Sequence, residues 1–64
     1  MVESSKIKRI REKLGLSQEK LARLADVSNN TLINIEAGKQ DNPTIDTLKK
    51  VAKALSVPIE DLIN

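Results

Sequence analysis

Residues 28–36 read SNNTLINIE, and three of these nine are asparagine: Asn29, Asn30 and Asn34. The spacing is helical, yet asparagine is a mediocre helix former because its amide competes for nearby backbone groups. A side-chain amide carries a donor and an acceptor together. That pair matches the adenine edge, where N6 donates and N7 accepts. Other chemistries lack their residue types. The chain has no Cys and no His, which removes disulfides, Cys/His zinc sites, thiol chemistry and imidazole catalysis. It has no Phe, Tyr or Trp, which argues against base stacking on aromatic rings. There is no metal-ligand set, no glycine-rich phosphate loop and no nucleophile–base pair. An enzyme is therefore not expected, nor is a cofactor.

The asparagines need elements to hold them. Gly15, Gly38, Pro43 and Pro58 cut the chain into short pieces of helical period. The first runs from about Ser5 to Leu14, with Ile7, Ile10 and Leu14 at helical spacing and Gly15 as C-cap. The second runs from Ser17 to about Ala25, with Leu21, Leu24 and Ala25 on one face. The third is the asparagine stretch. Ser17 and Ser28 are good N-caps, and Leu16 with Leu21, then Val27 with Leu32, have hydrophobic-staple spacing. The fourth begins at Thr44, with Ile45, Leu48, Val51, Ala52 and Leu55 apolar and Asp46 suited to the helix dipole. The fifth is short, with Pro58 at its first position and Ile59, Leu62 and Ile63 following. No segment alternates with period two. The expectation is an all-α fold of five short helices in one domain spanning residues 1–64.

Stepping the third helix at 100° per residue puts Leu32 and Ile35 on one side, with Thr31 beside them. Asn30 and Ile33 fall on the other side, flanked by Asn29 and Asn34. Only Asp26 and Val27 separate the second helix from the cap Ser28. A turn this short between short helices is the helix-turn-helix pattern, here spanning about residues 17–36. In that motif the second helix enters the DNA major groove. On spacing alone two readings stay open: amides that read bases, or a solvated surface with Asn29 and Asn30 as local caps.

The net charge of +2 is a mild bias towards polyanions. No apolar run approaches the roughly 18 residues of a membrane span. The N-terminal MVESSKIKRI lacks the apolar segment of a secretory signal. A soluble, cytoplasmic protein is expected.

Three longer stretches, LGLSQEKLA, VSNNTLINIEAGK and NPTIDTLKKVAKALSV, resemble the lambda-repressor and Cro type of helix-turn-helix domain, also called the xenobiotic-response-element family. The resemblance covers nearly the whole chain. It implies a lambda-repressor-like fold and sequence-specific binding of double-stranded DNA by a transcriptional regulator, most simply a repressor. It also implies a homodimer on a two-fold symmetric operator. It places Asn29, Asn30, Ile33 and Asn34 as the base-reading set. Asn suggests adenine and Ile33 suggests a thymine methyl, hence an A/T-leaning half-site. Ser17, Gln18, Thr31 and Lys39 form the set for the DNA backbone. The free N–H groups at the second helix's N-terminus, where Ser17 and Gln18 sit, suit a phosphate. The resemblance further implies a structural ion pair between Arg11 and Glu36. Ile59, Leu62 and Ile63 are the expected dimer surface. The competing function is a protein-interaction module, antitoxin-like, that keeps the fold without specific DNA binding. Many relatives carry arginine, glutamine or serine on the outward face, where this chain has NN and IN.

Overall fold

A computed structural model describes residues 4–39 and 43–63. It contains α1 (Ser4–Lys13), α2 (Gln18–Ala25), α3 (Asn29–Glu36), α4 (Ile45–Leu55) and a 3-10 turn (Ile59–Leu62). The fold is all-α as the periodicity requires, with one correction. The fifth element is a single 3-10 turn and not an α-helix, so the architecture among the described residues is four helices plus a turn. Pro58 stands just before that turn in an extended conformation, not at its first helical position.

Three of the four helices start, and all four stop, for local reasons. Ser17, Ser28 and Thr44 cap α2, α3 and α4, each side-chain oxygen accepting a backbone N–H three residues on. Such a cap is worth about 1 kcal/mol, which matters in a 64-residue chain whose core yields only a few kcal/mol of net stability. The C-terminal ends share one device. The N–H of Leu16, Val27, Lys39 and Val57 each reaches back five residues, to the carbonyls of Arg11, Ala22, Asn34 and Ala52. This is the Schellman motif, which needs a left-handed residue just before the donor. Gly15 and Gly38 supply it without strain. Asp26 and Ser56 supply it with φ of 58° each. An L-residue pays about 1–2 kcal/mol there, aspartate least because its short side chain bonds locally. Ser56→Gly is therefore expected to raise stability by about 0.5–1 kcal/mol, and Asp26→Gly by less. Urea denaturation reads both; an unchanged or lower midpoint for Ser56→Gly would show that position 56 is not strained.

The core is made by Ile7, Leu21, Ala22, Ala25, Leu32, Ile35, Val51, Ala52, Leu55 and Leu62. α2 packs on α3 and α4, α4 packs on the 3-10 turn, and α1 packs chiefly on α3 and the turn. Three residues on the apolar pattern lie outside this core. Leu14 follows the last turn of α1 and is swung outward as the chain reverses at Gly15. Leu24 flanks the face of α2 that Leu21, Ala22 and Ala25 bury. Ile45 sits in the first turn of α4, ahead of its buried stretch from Leu48. Leu62 corrects the expected dimer surface in the opposite sense: it is fully buried in the core. Only Ile59 and Ile63 of that trio, both half-buried, reach the surface.

Candidate nucleic-acid interface

α3 is eight residues long, about 12 Å at 1.5 Å per residue. Leu32 and Ile35 are buried, while Asn29, Asn30, Ile33 and Asn34 are exposed. The helix is capped by Ser28, whose Oγ accepts the Thr31 N–H at 3.0 Å and pairs with the Thr31 hydroxyl at 2.6 Å. The cap is thus a hydroxyl. The three asparagine amides make no side-chain hydrogen bond to any described residue. Ile33 is 37 % exposed, so one apolar group stands among the amides.

The outward face of α3 also carries no acidic side chain of that helix. Glu36 is the only acid on α3, and its side chain is turned inward at 3 % exposure. Arg11 Nε donates to Glu36 Oε2 at 2.8 Å and Arg11 Nη2 to Oε1 at 3.0 Å, a two-pronged pair of the strong type. Arg11 Nη1 donates to the Leu16 carbonyl at 2.7 Å. Gln18 Nε2 donates to the same Oε1 of Glu36 at 3.0 Å. One carboxylate therefore ties α1, the start of α2 and the end of α3 together. The hydrogen bond to Glu36 raises the Arg11 pKa above the ordinary arginine value, although burial works the other way.

This network fixes where the other proposed contacts sit. Gln18 and Ser17, at the N-terminus of α2, are held beside the C-terminal end of α3. Lys39, exposed, follows that end after Gly38. Three of the four groups expected at phosphates, Ser17, Gln18 and Lys39, thus gather near the C-terminal end of α3, while Thr31 stays at the other end with Asn29 and Asn30. Thr31 is half-buried, with its hydroxyl engaged by Ser28. The Arg11 bond to the Leu16 carbonyl has no signature in the sequence, because any residue supplies a carbonyl.

The geometry has known counterparts. Residues 7–62 match the family model HTH_3, helix-turn-helix, and the chain belongs to this Cro/C1-type family. The family consists of DNA-binding regulators and not of enzymes. The chain is 39 % identical over 61 residues to the cryptic phage CTXphi transcriptional repressor RstR of Vibrio cholerae, covering 95 % of this chain and 54 % of RstR. It is 39 % identical over 59 residues to the transcriptional regulator SinR of Bacillus licheniformis, covering 92 % of this chain and 53 % of SinR. The chain thus spans about half the length of these two relatives. Among solved structures, the biofilm master regulator SinR in complex with DNA superposes with a TM-score of 0.88 at 36 % identity, over 92 % of this chain and 97 % of that one. The restriction-modification controller protein C.AhdI of Aeromonas hydrophila superposes with a TM-score of 0.89 at 28 % identity, over 94 % of this chain and 89 % of that one. No helix among the described residues is long and apolar enough to cross a membrane.

Proposed function

We propose that this chain is a sequence-specific, double-stranded DNA-binding transcriptional repressor. Residues 1–64 form one DNA-binding domain, and α3 reads the major groove. The observation that carries the reading is the exposed face of α3: three amides with no side-chain partner among the described residues, one isoleucine and no acid of that helix. Asn29, Asn30, Ile33 and Asn34 contact base edges. Ser17, Gln18, Thr31 and Lys39 hold the backbone, with the free N–H groups of α2 aimed at a phosphate. Kinship with RstR, a repressor, and with DNA-bound SinR supports the assignment.

The chain acts as a homodimer on a pseudo-palindromic site. A single copy extends only 24 Å along its longest axis. Half-sites one helical turn apart are about 34 Å apart, so two reading helices require two copies. Selection from a random duplex pool tests the proposal, with binding repeated at two salt concentrations. The expected result is a two-fold symmetric, A/T-leaning site. Its affinity should fall with salt at a logarithmic slope of about −0.9 per phosphate neutralised. Absence of enrichment would overturn the proposal and favour a protein partner for this fold.

A further inference from the structure

α1 carries a set of cations to which the proposed DNA contacts assign no role. Its two sides differ. Taking Ile7, fully buried, as the inward direction, Arg11 lies about 40° to one side. That side faces α3, because Arg11 pairs with Glu36. On the other side come Ile10 at about 60°, Lys6 at about 100°, Lys13 at about 120° and Arg9 at about 160°. The second main neighbour of α1 is the 3-10 turn, so this other side borders the turn. Ile10 and Lys6 are half-buried, and Arg9 and Lys13 are exposed. The turn itself presents Glu60 and Asp61, both exposed, between half-buried Ile59 and Ile63. None of these five charged residues forms an ion pair with another described residue.

One face of the molecule therefore holds a basic ridge, an acidic turn and an apolar strip of Ile10, Ile59 and Ile63. Its own cations and anions do not satisfy each other. A two-fold axis brings the same patch of two copies together, so a residue of one set meets the other set on the partner. A patch with both signs flanking an apolar strip is self-complementary under that operation. A patch of one sign would repel its copy.

We propose that this α1–turn face pairs with the same face of a second copy, already in the absence of DNA. Glu60 and Asp61 of each copy lie on the Lys6–Arg9–Lys13 ridge of the other, around the isoleucine strip. The proposal rests on the homodimer reading above and supplies its interface. Size favours including α1. A stable interface takes about 800 Å² from each partner, and the whole molecule exposes 4125 Å². A four-residue turn is too small to provide a fifth of that surface, whereas the turn together with α1 spans a full side. Pairing there also leaves α3, on the opposite side of α1, free for DNA.

The test is sedimentation of the full chain without DNA, at about 0.05 M and about 0.5 M salt, where screening lengths differ several-fold. Two charge-reversed chains are compared with it, E60K/D61K and K6E/R9E/K13E, after circular dichroism melts show that both fold. The dimer of the parent chain is expected to weaken roughly tenfold at high salt. Each reversed chain alone should self-associate roughly tenfold to a hundredfold more weakly than the parent. An equal mixture of the two should form a heterodimer, because one set of pairs is restored with its signs exchanged and the other keeps its original signs. Dimers indifferent to salt and to reversal overturn the ion pairs but leave the homodimer standing. Monomers under all conditions overturn this interface, whereas the homodimer on DNA falls only if the duplex selection also fails to return a two-fold symmetric site.

Discussion

Glu36→Ala is expected to destabilise the protein by about 3 kcal/mol, the largest single-residue effect on folding among those considered. The substitution leaves Arg11, 8 % exposed, without its carboxylate in a largely buried site. It also removes the acceptor of Gln18. Breaking a buried pair costs about 3–5 kcal/mol because one charge stays behind, and the low end applies since Arg11 keeps the Leu16 carbonyl. A chain of 64 residues has a total stability of about 3–10 kcal/mol. The loss thus consumes a large share, and thermal melting should shift down by roughly 12–24 °C. DNA affinity falls with it, since the start of α2 and the end of α3 lose their common anchor. An unchanged melting temperature would falsify the ion pair as a scaffold element.

The double variant Arg11→Met, Glu36→Leu separates two ideas. Replacing both partners with apolar side chains removes the desolvation cost along with the attraction, and is often near neutral. Its stability is expected to recover most of what Glu36→Ala loses. If it is as unstable as the single variant, the bonds themselves dominate and not the stranded charge. The pH response follows from the raised Arg11 pKa. A group raised in the folded state contributes fully below its unfolded value and loses that contribution only as pH rises through the folded one. The arginine's contribution should therefore be flat from neutral into strongly alkaline pH.

Three of the helices, α2, α3 and α4, were legible from the sequence because each is marked by a cap and by its buried period. The caps Ser17, Ser28 and Thr44 are the residue types that satisfy a free N–H, and the buried positions Leu32, Ile35, Leu48 and Val51 recur at helical spacing. What escaped has physical reasons. Asp26 and Ser56 hold left-handed stops, and neither residue type signals that conformation as glycine does. Leu24 and Leu62 share one side-chain type but end at opposite extremes of burial. Which leucine is covered depends on the neighbouring element, and local period carries no information about neighbours. The 3-10 turn is too short to show any period. At the interface, the outward face of α3 follows from 100° stepping alone. The joint anchoring of Arg11, Gln18 and Glu36 on one carboxylate is a three-element contact, visible only once α1, α2 and α3 are packed.

Asn30→Ala and Asn34→Ala are expected to move stability and DNA binding in opposite directions. Both residues are exposed on α3, and their amides make no hydrogen bond to a described residue. Alanine is the better helix former by up to about 0.7 kcal/mol, so each variant should melt at the same temperature or slightly higher. If the amide reads adenine through two hydrogen bonds, its removal costs about 1–3 kcal/mol of discrimination at one base pair. That is roughly 5- to 150-fold in affinity for the selected site. Binding to unrelated duplex should hardly change, because phosphate contacts supply that term. Lys39→Ala makes the contrast. It should weaken specific and non-specific binding alike and make the salt slope shallower by about 0.9. Equal losses on both kinds of duplex for the asparagine variants would mean that the amides touch the backbone and that sequence is read elsewhere. A loss confined to the selected site, in a protein that has become no less stable, is the result that assigns the amides to bases. It would also explain why a short helix retains three residues that weaken it.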